Sequence, residues 1–312
     1  MAQLLLELVK TARPRQWLKN TAIFAPLVFS GFLFEPGYLS RVIFAFILFC
    51  LLSSGLYIFN DIVDAPSDRL HPFKKKRPIA SNRLPLPEAL FVGLTAITLA
   101  LSLAWTTTFF FFLLALLYTL IQISYTLWIK HLSILDVLTI ATGFVLRVYA
   151  GSVVVNLHMN VWFLLTVISA ALFLAVGKRQ SERTLLNGIG ERNLSEHRAT
   201  LGHYSQRLLD IYTGMFANTT WLTYALFAFQ QQFIKTEGPL PTLFATLPLA
   251  FTAQKWLMAT VPVVIYGVMR YLQLVYEQNQ GESPERVLLS DRPLLTAVIL
   301  WSLMVLAIIY AF

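Results

Sequence analysis

Long apolar stretches are the feature that most constrains this chain. Several approach the roughly 20 residues that an α-helix needs to cross a bilayer core. Of the 312 residues, 57% are hydrophobic and 13% are charged, whereas a soluble domain carries about 25% charged residues. No polar linker divides the sequence, so we predict an all-α integral membrane protein that forms one polytopic domain over residues 1–312.

The apolar pattern predicts nine transmembrane helices. They cover approximately 20–35, 41–60, 87–105, 108–129, 133–155, 160–178, 208–231, 255–275 and 293–311. Residues 1–19 are predicted to form an amphipathic cytosolic N-terminus. The 232–254 stretch contains three prolines and is predicted to be a long loop with a short interfacial turn.

The distribution of basic residues predicts the orientation of the chain. With a cytosolic N-terminus, 20 of the 24 Lys and Arg residues lie on the cytosolic side, as the positive-inside rule requires. We therefore predict that the N-terminus is inside and the C-terminus outside. The net charge of +8 is then explained by basic residues in the cytosolic loops, and we expect no nucleic-acid partner. The single cysteine, Cys50, excludes an intramolecular disulfide.

Three polar segments, 60–83, 178–210 and 277–292, contain 11 of the 16 acidic residues. All three lie on the predicted cytosolic side. A purely structural membrane protein would have little use for such loops, so we predict that they are active-site loops.

The 60–83 segment begins with an acidic helix end and continues into a basic run. Asp61, Asp64 and Asp68 are spaced i, i+3, i+7, which places them on one helical face, although Pro66 is expected to distort the last turn. Three clustered carboxylates repel one another, and hard oxygen ligands suit Mg²⁺. The alternative is a solvated helix end that pairs with adjacent lysines. The run 74–77 is either a topology signal, an anionic-lipid contact or, through Lys74 and Arg77, a diphosphate clamp.

Two charges lie inside a predicted span. Asp136 and Arg147 are eleven residues apart, about three helical turns, and so project from nearly the same face. Charges in spans usually face a bundle interior or a cavity. We expect Asp136 to orient Lys130 or another cation, and Arg147 to contact a phosphate or to form a structural ion pair. The same two possibilities stay open for Tyr204, Asp210, Asp291 and Arg292.

The Asn-Asp-x-x-Asp-x-x-x-Asp pattern at 60–68 resembles the first aspartate motif of the UbiA superfamily of intramembrane prenyltransferases, and the nine-span topology is similar. The resemblance implies a helical bundle that opens laterally to lipid and binds a diphosphate through Mg²⁺ at this motif. Conventional members carry a second aspartate motif at the cytosolic end of the sixth span. Here residues 177–183 are a basic cluster with one acid, Glu182.

Further segments resemble one branch of the superfamily, the decaprenyl-phosphate phosphoribosyltransferases. They are Arg13–Asn20, 71–78, Asp136 with 143–147, 177–179 and 288–293. That resemblance implies transfer of 5-phosphoribose from phosphoribosyl pyrophosphate to a polyprenyl phosphate, with release of diphosphate. It also implies a place in cell-wall polysaccharide precursor synthesis at a bacterial cytoplasmic membrane, with the active site facing the cytosol.

The resemblance assigns residues to each part of this reaction. The Mg²⁺ ligands are Asn60, Asp61, Asp64 and Asp68. The donor phosphates are contacted by Lys19, Lys74 and Arg77, and the lipid phosphate by Lys178 and Arg179. The catalytic set comprises Asp61, Asp64, Lys178 and Arg179. Further substrate-binding candidates are His71, Lys130, Asp136, Arg147, Glu182, Tyr204, Asp210, Asp291 and Arg292.

Two other functions remain open on the sequence alone. One is a conventional prenyltransferase that moves a prenyl group from a prenyl diphosphate to an aromatic or haem acceptor. The other is a lipid transporter or lipid-binding bundle without enzymatic activity. In every case we expect membrane lipid to surround the chain, and its apolar surfaces are compatible with a homo-oligomer.

Overall fold

The computed structural model describes residues 2–70, 74–187, 204–231, 255–277 and 284–310. Within these ranges every regular element is helical, which confirms the predicted all-α class. The described residues divide into two compact units. The N-terminal unit contains the residues up to Leu27 and Phe34–Leu157, and the C-terminal unit contains Val28–Leu33 and the described residues after Leu157.

The N-terminal unit consists of one long helix and the shorter helices that pack around it. In chain order the α-helices are α1 Ala2–Ala12, α2 Ala25–Ser30 (shared with the C-terminal unit), α3 Tyr38–Leu70, α4 Leu86–Thr107, α5 Phe109–Leu127 and α6 Leu135–Val154. Three 3₁₀ segments accompany them, Pro14–Phe24, Lys74–Lys76 and Ile129–His131. The central helix α3 contacts α1, the first 3₁₀ segment, α4, α5 and α6.

The C-terminal unit is built around α7. Its α-helices are α7 Val161–Asn187, α8 Gln206–Gln230, α9 Val261–Glu277, α10 Pro284–Ser290 and α11 Arg292–Tyr310, with a 3₁₀ segment at Trp256–Thr260. The helix α7 packs along α8, and α9 packs against α7, α8 and α11. Phe173, Tyr271 and Leu274 belong to the apolar core between these helices.

Among the described residues, seven helices are long and apolar enough to cross a membrane. They coincide with seven of the nine predicted spans. The predicted span at 208–231 is helical as α8 but is not one of the seven, and it is rich in threonine and amide side chains. The predicted span at 20–35 instead contains the end of a 3₁₀ segment and the six-residue α2, which stops before Gly31 at a φ of 82°. The nine-span count is therefore not confirmed.

Helix α3 extends well beyond its predicted end at residue 60. It continues through Pro66 to Leu70, so the acidic part of the predicted 60–83 loop is helical. Likewise α7 runs through 178–187, the start of the second predicted loop. The site residues at both places consequently lie on helical faces with fixed directions. The predicted 232–254 loop, His71 and segments 188–203 and 278–283 lie outside the described residues.

The first 3₁₀ segment lies directly against α6. A Cβ atom built on Gly151 would lie 1.9 Å from the carbonyl oxygen of Ile23, so only glycine permits this backbone-to-backbone approach. The same segment also contacts α3. This packing holds the chain between Arg13 and Asn20 beside the helix that carries the aspartates.

Candidate active site

The end of α3 brings together two aspartates and one arginine of the N-terminal unit. Arg77 donates from Nη1 to Asp61 Oδ1 at 3.1 Å and to Asp68 Oδ2 at 2.6 Å. Both aspartates are 3% exposed. Their seven-residue spacing places them two turns apart on one face, as predicted, and Arg77 follows the 3₁₀ turn at Lys74–Lys76.

Asp64 has a different set of partners. Lys130 forms an ion pair with its Oδ1, and the Asn60 amide donates to its Oδ2 at 2.9 Å. Asn60 in turn accepts a hydrogen bond from Thr126 at 3.1 Å. Lys130 therefore pairs with Asp64 rather than with Asp136, which is fully buried in the first turn of α6.

Arg13 is a site residue that sequence reasoning did not assign. Its Nη2 donates to Asp61 Oδ1, and its guanidinium carbon lies 5.2 Å from the centroid of the Tyr57 ring. The backbone of Arg13 is left-handed, with φ 53° and ψ 63°, which costs about 1–2 kcal/mol for a residue with a side chain. No local spacing connects residue 13 to residue 61, so only the folded chain reveals this contact.

A row of polar contacts fastens the first 3₁₀ segment to α3. Trp17 Nε1 donates to Ser54 Oγ at 3.0 Å. Asn20 Nδ2 lies 3.2 Å from Ser53 Oγ and 3.3 Å from Cys50 Sγ. These α3 residues lie on a stripe that reaches Asp61 two to three turns later, so the stripe fixes the position from which Arg13 reaches the carboxylate.

Arg147 is buried, at 5% exposure, and its acceptors are all neutral. It donates to Asn20 Oδ1 at 2.7 Å, to the Gly143 carbonyl at 2.7 Å and to the Tyr118 hydroxyl at 2.6 Å. The ion pair considered for Arg147 is thus not formed among the described residues. Its hydrogen bond to Asn20 instead supports the 3₁₀ segment that carries Arg13.

The three site carboxylates are balanced by three cations from separate parts of the chain, Arg13, Arg77 and Lys130. Lys74 and Lys19 are half-buried. Within the described ranges, no three His, Cys, Asp or Glu side chains come together as metal ligands. The chemistry of the three site carboxylates nevertheless fits Mg²⁺, which prefers carboxylate oxygens and shares them with phosphate oxygens.

In the basic cluster of the C-terminal unit, Arg179 is buried and Lys178 is accessible. Arg179 is fully buried, and its Nη1 donates to Glu182 Oε2 at 2.6 Å. The Nζ of Lys178 lies 3.8 Å from Glu182 Oε1, and its side chain is 33% exposed. Lys178 can therefore reach an external anion, whereas Arg179 and Glu182 form a supporting ion pair.

Asp210 joins three helices of the same unit through one oxygen. Its Oδ1 accepts from Gln180 at 2.9 Å, from the Tyr276 hydroxyl at 3.0 Å and from Gln206 at 3.3 Å. Gln180 belongs to the 177–183 segment, the basic cluster that the family resemblance places where conventional members carry a second aspartate motif. Tyr204, immediately before α8, is buried.

Asp291 is held at the start of α11. Arg270 donates to its two oxygens at 3.2 and 2.7 Å, and the Leu294 amide donates to Oδ1 at 2.8 Å. These bonds from Arg270, followed by the one from Leu294, hold the pKa of Asp291 below its usual range. The adjacent Arg292 is exposed and lines an apolar surface groove of about 600 Å³. Its other lining residues are Pro262, Val263, Tyr266, Pro293, Thr296, Ala297 and Leu300.

Comparison with known proteins identifies the class to which this fold and site belong. Residues 23–303 match the UbiA prenyltransferase family, and the chain belongs to that family. It is a multi-pass membrane protein with the transferase fold that the sequence motif predicted.

Particular relatives resemble the chain over nearly its whole length. A decaprenyl-phosphate phosphoribosyltransferase of Mycolicibacterium smegmatis is 32% identical over 299 residues, covering 94% of this chain and 89% of the relative. Another, from Corynebacterium glutamicum, is 29% identical over 308 residues, covering 97% and 86%. These relatives confirm the predicted resemblance to that branch of the family.

A solved structure confirms the fold. A UbiA homologue from Archaeoglobus fulgidus, bound to GPP and Mg²⁺, superposes with a TM-score of 0.70 at 18% identity, covering 97% of this chain and 99% of that chain. A divalent metal is therefore found in the family.

Proposed function

We propose that this protein transfers 5-phosphoribose from phosphoribosyl pyrophosphate to a polyprenyl phosphate and releases diphosphate. The observation that carries the proposal is the set of three carboxylates at the end of α3, each held by a cation from another element. Such a set suits a substrate that brings both a metal ion and phosphates, because metal and phosphates can exchange partners with the carboxylates and cations. The named relatives, similar over nearly the whole chain, support this donor and acceptor.

On the donor side, the chain's own residues bind and orient the diphosphate. Asp61, Asp64, Asp68 and the carbonyl of Asn60 would hold Mg²⁺, which stabilises negative charge on the leaving group when it is bound. Arg77 and Lys74, next to these carboxylates, are the phosphate contacts that we assign to the donor, together with Lys19. Arg77 would exchange its aspartate partners for phosphate oxygens.

On the acceptor side, the lipid phosphate is already anionic and needs no general base. Its oxygen forms a bond to the anomeric carbon while the bond from that carbon to diphosphate breaks, and the leaving group takes the electron pair. We assign the lipid-phosphate contact to Lys178, oriented by the ion pair of Arg179 and Glu182. The product would serve cell-wall polysaccharide synthesis at the cytosolic face of a bacterial cytoplasmic membrane.

The test is reconstitution of the purified protein with labelled phosphoribosyl pyrophosphate, Mg²⁺ and a polyprenyl phosphate. We expect a lipid-linked sugar phosphate and released diphosphate, and no product when Mg²⁺ is chelated. Absence of a lipid-linked product from the intact protein would overturn the proposal. A parallel reaction with a prenyl diphosphate and an aromatic acceptor tests the conventional family activity, which the basic residues Lys178 and Arg179 disfavour.

Replacing one carboxylate tests the metal-site assignment. Asp61→Asn should reduce turnover to background, because the amide keeps the shape of the side chain but lacks the charge that binds a cation. The matched control is Glu88→Gln, which neutralises an exposed acid in the first turn of α4 and should keep full activity. Wild-type turnover by Asp61→Asn would rule out this carboxylate as an essential ligand.

A further inference from the structure

Arg13 contacts the same carboxylate oxygen that Arg77 contacts. Both guanidinium groups donate to Asp61 Oδ1, while Arg77 also donates to Asp68. If Asp61 turned to another partner, Arg77 would still be paired with Asp68. Arg13 would instead lose the carboxylate that it contacts here. Asp61 is the carboxylate that pairs with Arg13 among the described residues.

The chain holds Arg13 in this position at a conformational cost. Its left-handed backbone separates the end of α1 at Ala12 from the 3₁₀ segment that begins at Pro14. Strain of this kind persists only where the surroundings impose it, and it concentrates at functional sites. Here the hydrogen bond of Trp17 to Ser54 fixes the segment after the strained residue, and the Tyr57 ring contacts the guanidinium group of Arg13.

A guanidinium in this position has a second use. If Asp61 takes up a cation, the carboxylate no longer needs Arg13, and the guanidinium is set free beside the site. Its side chain is 27% exposed, so it can reach an incoming ligand. Arginine is a strong donor to phosphate oxygens and stays protonated throughout.

We propose that Arg13 exchanges partners during the reaction: it pairs with Asp61 in the empty site and with the diphosphate of the sugar donor when substrate is bound. This inference rests on the proposed function, since it assumes a diphosphate leaving group. Arg13 then donates to the oxygens on which negative charge accumulates as the bond to the anomeric carbon breaks. It thereby acts as a catalytic residue supplied by the segment that follows α1.

Binding measurements on the full-length protein test the exchange without turnover. The probes are Mn²⁺ alone, followed by electron paramagnetic resonance, and inorganic pyrophosphate with Mg²⁺, followed by calorimetry. Arg13→Ala should bind Mn²⁺ more tightly, because Asp61 loses a competing cation. It should bind pyrophosphate roughly ten- to a hundredfold more weakly, as expected for a lost charge-assisted hydrogen bond. Arg13→Lys should give an intermediate pyrophosphate affinity, because a point charge lacks the planar fork.

The opposite signs distinguish this role from simpler ones. A purely structural Arg13 would lower both affinities together, and a cation that only fills the empty site would raise both; either result overturns the proposal. If Arg13→Ala does not fold, Arg13→Lys decides, and an unchanged pyrophosphate affinity overturns it. Arg15→Ala is the matched control, because Arg15 is exposed, and should bind both probes like the wild type. If the wild-type protein forms no lipid-linked product, the proposed function is wrong. The pyrophosphate affinities still show whether Arg13 binds a diphosphate, because they are measured without turnover.

Discussion

At the scale of residues, the chemistry of this molecule centres on Asp61. One oxygen of its carboxylate accepts hydrogen bonds from two guanidinium groups. The i, i+3, i+7 spacing predicted one acidic face, and Asp61 and Asp68 indeed share Arg77. The spacing could not predict which cation each acid takes. Asp64 turns to Lys130 and Asn60, because α5 ends beside that position of α3.

Among the acids of the C-terminal unit, Asp291 allows a prediction about pH. Its pKa is lowered because Arg270 donates to both oxygens, with a further bond from Leu294. A group with a depressed folded pKa stabilises the fold above its ordinary pKa of about 3.9, and that stabilisation is lost as the pH falls through the lower, folded value. We expect Asp291→Asn to lower the melting temperature in detergent at pH 7 by a small amount, because solvent screens this ion pair.

The difference between wild type and Asp291→Asn should shrink as the pH is lowered from about 5 towards 3. Asparagine keeps the helix cap, so the difference reports the ion pair with Arg270 rather than the cap. Arg270→Gln should show the same pH profile. A difference that stays constant down to pH 3 would exclude a titrating Asp291 as its cause.

At the scale of elements, hydropathy located the long helices well and the short ones poorly. The seven apolar helices each overlap a predicted span because burial in lipid demands about 20 apolar residues in succession. The stretch at 20–35 is similarly apolar, yet it begins in a 3₁₀ segment that ends at Phe24, and Gly31 follows the end of the six-residue α2. The spacing of the acids predicted a helical face there, but the predicted span ended at residue 60, whereas α3 continues through Pro66 to Leu70.

The arrangement of the site depends on the contact between Gly151 and the backbone at Ile23, which no sequence pattern predicts. The 3₁₀ segment reaches α3 because Gly151 of α6 lets the backbone at Ile23 approach. One glycine thus sets the position of Arg13, more than a hundred residues away in sequence. Single-sequence reasoning recognised the basic segment as a family feature but had no means of pairing it with Asp61.

Gly151→Ala should therefore damage the site through its architecture. The added methyl group would collide with backbone atoms of Ile23, which cannot rotate away, and such overpacking typically costs about 1–3 kcal/mol. We expect a lower melting temperature together with weaker binding of pyrophosphate. Gly214→Ala is the matched control, because a Cβ there has no neighbour within 4 Å and alanine favours the helix. Equal melting temperatures and affinities in the two variants would refute this account of the packing.

At the scale of the whole molecule, the acidic set lies within the N-terminal unit and the basic cluster within the C-terminal unit. The family resemblance predicts that both serve one reaction at the cytosolic face. That expectation requires the turn after α3 to lie inside the cell. It also requires the turn between α6 and α7 to lie outside, since three membrane-crossing helices, α4, α5 and α6, separate the two turns.

The single buried cysteine makes this orientation measurable. In a Cys50→Ser background, which keeps an acceptor for Asn20, one new cysteine can be placed at exposed Ser81 or at exposed His158. A membrane-impermeant maleimide should label His158→Cys in intact cells, and should label Ser81→Cys only after the membrane is permeabilised. The reverse pattern would place Arg77 and its aspartates outside, away from a cytosolic phosphoribosyl donor. The labelling of these two positions therefore tests whether the site faces the side of the membrane that holds the proposed donor.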